Sequence, residues 1–388
     1  MGDPELEPNL ASMRLHRLRS VMADRGVEAL LTADPINLFY ATGVRNMSVF
    51  SMMGAARFAL VLLDGPVIVW EFAGAEHLAE RAGTVDEVRT APGVTALSGP
   101  HYPTACAAFA NEIAACHRGP ALAVERVDHP VTDALRGAGF ALTSATDVFV
   151  AARVIKLSAE VDVMWAAMHR VEEAVAEMLR HLEPGRSEVE IWSHFHRHLI
   201  ETGGEYVSTR LVQAGERTFP YFQEAGPHVV GARELFCIDT DAIGIGGYGA
   251  DFSRTYVCGD EATRAQVTLH RLAEEQLTHN ASLLAPGVSF EAFASDAWPV
   301  PDRYASYGYY CLAHGLGLSG EYPYLPLHDP DSRYPVPGEF EPGMVICVES
   351  YIGDPDHGCG VKLEDQFVIT AESVQRMSTM PFDPKLSA

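Results

Sequence analysis

No stretch of this sequence approaches the run of about 18 apolar residues that a membrane-crossing helix needs, so no membrane span is expected. Basic side chains are scarce as well: 28 Lys and Arg stand against 52 Asp and Glu, a formal charge of −24. A surface of that sign repels phosphate backbones, which argues against nucleic-acid binding. The seven cysteines are scattered and never spaced as CxxC, so no thiolate metal site is legible and a reduced, cytoplasmic protein is expected. The opening MGDPELEPNL holds acids and prolines where an export signal would carry a basic region followed by an apolar one. Low-complexity linkers and usable repeats are also missing. What remains is 388 residues at 47% hydrophobic content, enough chain to bury the cores of two ordinary domains.

Residues 1–152 read as an α/β domain. VEALLTA (27–33), NLFYATG (37–43) and ALAVERV (121–127) have the look of strands, and Met13 to Arg25 has helical apolar spacing. Two apolar runs flank Asp64-Gly65 within 58–72, which predicts a strand pair around a turn. Few ionisable residues cluster here, so scaffolding, dimer contact or substrate gating is expected of it. From Arg153 the composition changes. Ser158 is a plausible N-cap for a helix reaching Leu182, and the capping box Ser187 to Glu190 opens another that ends near Thr202. One more helix is expected at 261–284, and strands dominate the rest, so 153–388 reads as an α+β domain with a mostly antiparallel sheet.

Chemistry concentrates in FCIDTDAIGIGGYGADFSRTYV (236–257). Asp239 and Asp241, two residues apart on one strand, would point to the same face. Gly244, Gly246 and Gly247 let the chain reverse and bring Asp251 back alongside them. Three crowded carboxylates repel one another unless a cation intervenes. His314 lies between small residues in CLAHGLGLSGEYP, while Glu349 in MVICVES and Glu364 in VKLEDQFVI each interrupt an otherwise apolar strand. A single buried glutamate could simply pair with Lys362 or Arg254. Two of them, with three aspartates and a histidine, argue for a dinuclear centre. Such an oxygen-rich set favours Mn, Fe, Co or Zn over Cu.

These residues carry a resemblance. The order Asp, Asp, His, Glu, Glu, in the settings DFSRT, AHGLG, PGMVICVES and GVKLEDQ, is similar to the creatinase, prolidase and methionine aminopeptidase superfamily. RVIKLSAEVDVM resembles its passage into a pita-bread catalytic domain. Within that superfamily the chain most resembles the DddP-type dimethylsulfoniopropionate (DMSP) lyases, through Asp239-Thr240-Asp241, TRLVQAGERTFPYFQEAG, AHGLGLSGEYPYLP and VESYIG. The resemblance implies an α/β creatinase-like N-terminal domain, a pita-bread catalytic domain, two iron ions on the six named residues and a homodimer. It also implies a pocket role for Tyr309, five residues before His314.

Two departures from the superfamily's peptidases matter. Those enzymes usually carry a proton-handling histidine in the segment equivalent to 216–226, which has none here, and another at the position of Glu321. A third departure is from the lyases, which place an aspartate, the proposed base, where this chain has Gly320. Glu321 and Tyr309 are therefore the candidate proton-handling side chains, and Tyr309, Tyr221, Phe222 and Tyr322 could cage an onium group. The expected activity is β-elimination on a small carboxylate with a cationic leaving group, as in DMSP. The alternatives are a dipeptidase, aminopeptidase or creatinase-like hydrolase of the same superfamily, and a non-catalytic binding module. His194 and His198, four apart in WSHFHRHLI, lack the HExxH glutamate and are expected on a solvent-facing helix surface.

Overall fold

A computed structural model describes residues 9–54, 57–259, 261–327 and 336–386; the acidic opening at residues 1–8 falls outside them. The chain divides into two compact units, one ending at Arg153 and the other beginning at Val154. No helix among the described residues is long and apolar enough to cross a membrane.

In the first unit, six strands form one mixed sheet: β1 (Ala29–Thr32), β2 (Phe58–Leu62), β3 (Val67–Glu71), β4 (Glu87–Thr90), β5 (Ala121–Glu125) and β6 (Ala141–Ser144), in the order β4-β3-β2-β1-β5-β6. The hairpin expected around Asp64-Gly65 is the antiparallel β2/β3 pair. One expectation is corrected: 37–43 is no strand, because Pro35–Thr42 is a helix. Asp34 Oδ1 accepts from the amides of Ile36 and Asn37, both at 2.9 Å, and Gly43 closes the helix at φ 71°. Eight mostly apolar residues have no decisive periodicity; the cap, the proline after it and the terminal glycine decided the matter.

The second unit opens with the helix Ser158–Leu179. Ser158 is its first residue rather than its cap, and Glu160 Oε2 instead accepts the Leu157 amide at 2.8 Å. The next helix, Glu188–Glu201, does begin from the Ser187/Glu190 capping box. The remaining strands are β7 (Tyr206–Val207), β8 (Val212–Ala214), β9 (Leu235–Asp239), β10 (Ala242–Ile243), β11 (Gly249–Ala250), β12 (Ser253–Val257), β13 (Cys311–Leu316), β14 (Gly320–Pro326), β15 (Val345–Asp354), β16 (Cys359–Ile369) and β17 (Val374–Arg376). Most belong to one antiparallel sheet ordered β14-β13-β15-β16-β12-β9-β8, with β17 also paired to β16. β7, β10 and β11 make a small separate sheet.

Strand alternation gives the large sheet two different faces. On β15 and β16, Ile346, Val348, Ile352, Val361, Leu363 and Ile369 join a core with Leu269, Ala273 and Leu277 of the helix Arg264–Ser282. Each such fully buried aliphatic side chain contributes roughly 1.5–3 kcal/mol, so this face fixes the sheet. The intervening residues, including Glu349, Lys362 and Glu364, must face the other way.

Candidate metal centre

Register assembles the centre across four strands. Glu349 of β15 pairs with Glu364 of β16, Glu364 with Ser253 of β12, and Ser253 with Asp239 of β9. That is a single row on the face opposite the helical core. His314 enters from β13, where it is paired with Cys347 of β15, two residues before Glu349 and on the same face. Gly315 is needed beside it, since a β-carbon there would collide with the Tyr322 carbonyl.

Asp241 and Asp251 arrive differently from the way strand alternation predicts. β9 ends at Asp239, and Asp241 sits outside any strand in a left-handed conformation, φ 38°. The chain then reverses through Gly246 and Gly247, at φ 66° and 82°, so that β10 pairs with β11 and Asp251 follows directly. The Asp241 amide donates to Asp251 Oδ1 at 3.2 Å, and Thr209 Oγ1 donates to Asp241 Oδ2 at 2.6 Å. All six sequence-named residues thus share one electrostatic cluster, with Asp239, Asp251, Glu349 and Glu364 buried and Asp241 and His314 partly open.

Each carboxylate in the row divides its two oxygens between different tasks. Lys362, fully buried, donates from Nζ to Glu349 Oε2 at 2.6 Å, Ser253 Oγ at 2.7 Å and Glu364 Oε2 at 3.0 Å, and lies 3.4 Å from Asp239 Oδ2. Ser253 Oγ also donates to Glu364 Oε2 at 2.9 Å, and the Tyr221 hydroxyl to Asp239 Oδ2 at 2.6 Å. The opposite oxygens turn elsewhere. Glu349 Oε1 and Glu364 Oε1 lie 3.6 and 3.5 Å from His314 Nε2, and Glu364 Oε1 and Asp239 Oδ1 are buried without a hydrogen-bond partner. Buried orphan carboxylate oxygens are costly in isolation, and divalent cations are what such oxygens fit. Ligand atoms of Asp251, His314, Cys347 and Glu364 all lie within 4.8 Å of one another, so the residues present fit a metal ion.

The lysine was legible only as one possible partner for an isolated glutamate. It pairs with both glutamates at once, which follows from the two-residue spacing that puts Lys362 and Glu364 on one face. Cys347 went unnoticed, although the same spacing to Glu349 was the available signal.

Electrostatics show that one lysine and one histidine do not neutralise five carboxylates. Burial pushes the Asp239 carboxyl up to about 8, with Lys362 opposing and Glu364 adding to the rise. Asp251 and Glu349 are also raised, by burial first and then by Glu364; burial raises Asp241 against the Thr209 hydrogen bond. Glu364 is the exception: burial would raise it, but Lys362 and His314 outweigh that and hold it below the usual carboxylate range. Burial works to lower His314, yet the Glu349 and Glu364 carboxylates 3.6 and 3.5 Å from its Nε2 keep it well above the ordinary imidazole value. Protons and cations therefore compete for the same oxygens.

Aromatic side chains wall one side. Tyr309 meets Tyr221 and Phe222 with ring centroids 5.5 Å apart in each case, and Lys362 Nζ lies 5.0 Å from the Tyr309 centroid. Phe222, half exposed at φ 68°, forms the outer part of this wall. Tyr322 is elsewhere: its ring packs edge-on to Phe290 and its hydroxyl donates to the Pro337 carbonyl. Glu321 is committed as well. Its Oε2 accepts from Lys156 Nζ at 2.8 Å, and its Oε1 accepts the Leu318 amide at 3.0 Å.

With this geometry in view, the comparisons with known proteins are specific. Residues 162–371 match Metallopeptidase family M24, and residues 14–155 match the Creatinase/Prolidase N-terminal domain. The chain belongs to family M24. Two relatives, each named dimethylsulfoniopropionate lyase DddP, are 33% identical to it. The protein of Roseovarius nubinhibens aligns over 99% of this chain and 88% of its own length, and that of Roseobacter denitrificans over 98% and 88%. Among solved structures, the Xaa-Pro dipeptidase from Bacillus anthracis superposes with a TM-score of 0.78 at 20% identity, covering 96% of this chain and 99% of its own. That likeness establishes the pita-bread fold beside its creatinase-type N-terminal domain. The family is one of metalloenzymes, and the two lyase relatives support a metal-dependent lyase, with peptidase-like relatives as the alternative.

Proposed function

We propose that this M24 protein is a DMSP-lyase-like enzyme, which cleaves a small carboxylate carrying a cationic leaving group by β-elimination. In this reading Asp239, Asp241, Asp251, His314, Glu349 and Glu364 hold two divalent transition ions, iron by likeness to the DddP lyases. Bound there, such ions supply Lewis acidity that fixes a substrate carboxylate and stabilises the charge developing beside it. The observation that carries the proposal is the packing of Tyr221, Phe222 and Tyr309 beside the carboxylate cluster, in a chain to which two DMSP lyases are 33% identical across almost its whole length. An anion-holding centre flanked by aromatic faces suits a molecule with a carboxylate at one end and an onium group at the other.

For DMSP the Cα–H bond breaks, the electron pair forms the new double bond, and the Cβ–S pair leaves on sulfur. The products are acrylate, dimethyl sulfide and a proton. Glu321 is tied to Lys156, and Gly320 carries no side chain. Of the proton-handling candidates, Tyr309 is the one beside the cluster. Burial and then Glu349 hold its phenol well above the usual range, so it acts as a hydrogen-bond donor and cage wall until cations neutralise those carboxylates. A homodimer and a cytoplasmic location belong to the same reading; light scattering on purified protein checks the former.

The test is acrylate release from DMSP by metal-reconstituted protein, with Ala-Pro assayed in parallel and metal content measured by elemental analysis. We expect two ions per chain, acrylate formation and little dipeptide cleavage, since 216–226 and position 321 lack the peptidases' histidines. Gly320→Asp should raise acrylate release by about 10²–10⁴-fold, the usual contribution of a positioned base. A β-carbon at Gly320 meets nothing within 4 Å, so the side chain has room. Rapid Ala-Pro hydrolysis without acrylate would replace this reading with the hydrolase one.

A further inference from the structure

Among the described residues, potential metal donors converge at one place, and the group includes a side chain that the reading above leaves without a task. His194 and His198, expected on a solvent-facing helix surface, are partly buried and lie outside that group. The unused donor is Cys347, fully buried on β15. Strand register puts it there. Its partner on β13 is His314, its partner on β16 is Gln366, and it stands two residues before Glu349 on the same face. Gln366 Oε1 accepts the Asp251 amide at 3.0 Å, which holds Asp251 over this row. Cys347 Sγ therefore has donor atoms of Asp251, His314 and Glu364 as neighbours, and the four atoms all lie within 4.8 Å of one another.

A buried thiol can be no more than a small apolar filler. Two observations set this one apart. Its hydrogen-bond contact, to the Asp251 carbonyl, is a long 4.0 Å and engages the S–H rather than the sulfur lone pairs. In the same group, Glu364 leaves its buried Oε1 without a hydrogen-bond partner, 3.5 Å from His314 Nε2. Two donors on one ion stand at most the sum of their bonds apart, about 4.4 Å for sulfur and nitrogen on Zn²⁺. The remaining gap is within reach of side-chain rotation. We propose that Cys347 is a ligand of the ion that His314 holds, which makes the two ion positions unlike: one has nitrogen, sulfur and oxygen donors, the other carboxylate oxygens alone. This inference rests on the metal-centre part of the reading above and is independent of the substrate. Thiolate and imidazole together favour Zn²⁺ or Fe²⁺ over Mn²⁺, whereas an all-carboxylate position does not make that distinction. Ligation forms one sulfur–metal bond and sends the thiol proton to solvent.

The experiment reloads full-length, chelator-treated protein with Co²⁺ or Zn²⁺. The Co²⁺ protein is expected to show a near-ultraviolet sulfur-to-cobalt charge-transfer band, and X-ray absorption on the Zn²⁺ protein a sulfur shell at about 2.3 Å. Cys347→Ser should abolish both signals and weaken Zn²⁺ binding by about 10-fold or more, with Mn²⁺ binding nearly unchanged. Cys311→Ser should keep both signals, because Cys311 Sγ donates to the Ala313 carbonyl at 3.3 Å. The wild-type spectra decide the point even where a variant folds poorly. Ions bound without a sulfur shell, or a sulfur signal that survives Cys347→Ser, would overturn this inference and leave the metal-centre reading standing. Failure of the wild-type protein to take any ion would overturn both.

Discussion

Each unit of this protein buries a glutamate completely, and the two are treated in opposite ways. Glu71 of the first unit receives Arg57 at both oxygens, with contacts of 2.7, 2.9 and 2.7 Å, and also the Asn46 amide group at 3.1 Å and the Phe72 amide at 3.1 Å. Glu364 of the second unit has Lys362 and Ser253 at Oε2 but no hydrogen bond at Oε1. Its sequence neighbour Asp365, pointing the other way from the same strand, behaves like Glu71: Arg254, Arg376 and Ser378 all donate to it. A buried carboxylate with a structural task is fully satisfied by the protein. One left open on one side is arranged for something the chain does not contain.

Removing each type of group tests this contrast. The largest effect is expected from Glu364→Gln or Asp251→Ala. Either should cut metal affinity and turnover by at least about 100-fold, read by elemental analysis and by activity after reconstitution. Full metal content in both variants would show that Glu364 and Asp251 are not ligands. By contrast, Arg57→Ala should leave metal content unchanged. Because it strands Glu71 in the core, it should destabilise its unit by about 3–5 kcal/mol, seen as a fall in Tm. An unchanged Tm would mean that Glu71 is satisfied without its arginine.

A smaller, pH-dependent effect sharpens the comparison. Asp239 has a folded-state pKa of about 8, raised from 3.8 chiefly by burial. A group raised on folding contributes stability fully below its unfolded pKa and loses it as pH climbs through the folded value. Metal-free protein should therefore lose stability between about pH 4 and pH 8, by roughly a few kcal/mol. Asp241, Asp251 and Glu349 shift in the same direction, and Glu364 opposes them. Metal replaces the competing protons, so the gap in Tm between loaded and chelator-treated protein should widen from pH 5 to pH 8. Calorimetry in buffers of different ionisation enthalpy should record proton release on metal binding at neutral pH. An equal gap at both pH values would contradict the crowding of uncompensated carboxylates.

The sequence by itself determined the six acidic and imidazole groups and their local settings, because carboxylates interrupting apolar strands are conspicuous against the cost of burying charge. It also determined most elements with strong periodicity or caps, such as the hairpin at Asp64-Gly65 and the helix opened by Ser187 and Glu190. Local reading failed where the local signal was divided, as at Pro35–Thr42, or where geometry was irregular, as at Asp241 with its positive φ. The tertiary structure alone decided which oxygen of each carboxylate is free, since that depends on Lys362, Ser253 and Tyr221 reaching in from other strands and loops. It also decided that Tyr322 and Glu321 have structural partners at Pro337 and Lys156. Residue type and spacing reveal what a side chain can do, but the partner that claims it is set by strand register and packing between segments far apart in the chain.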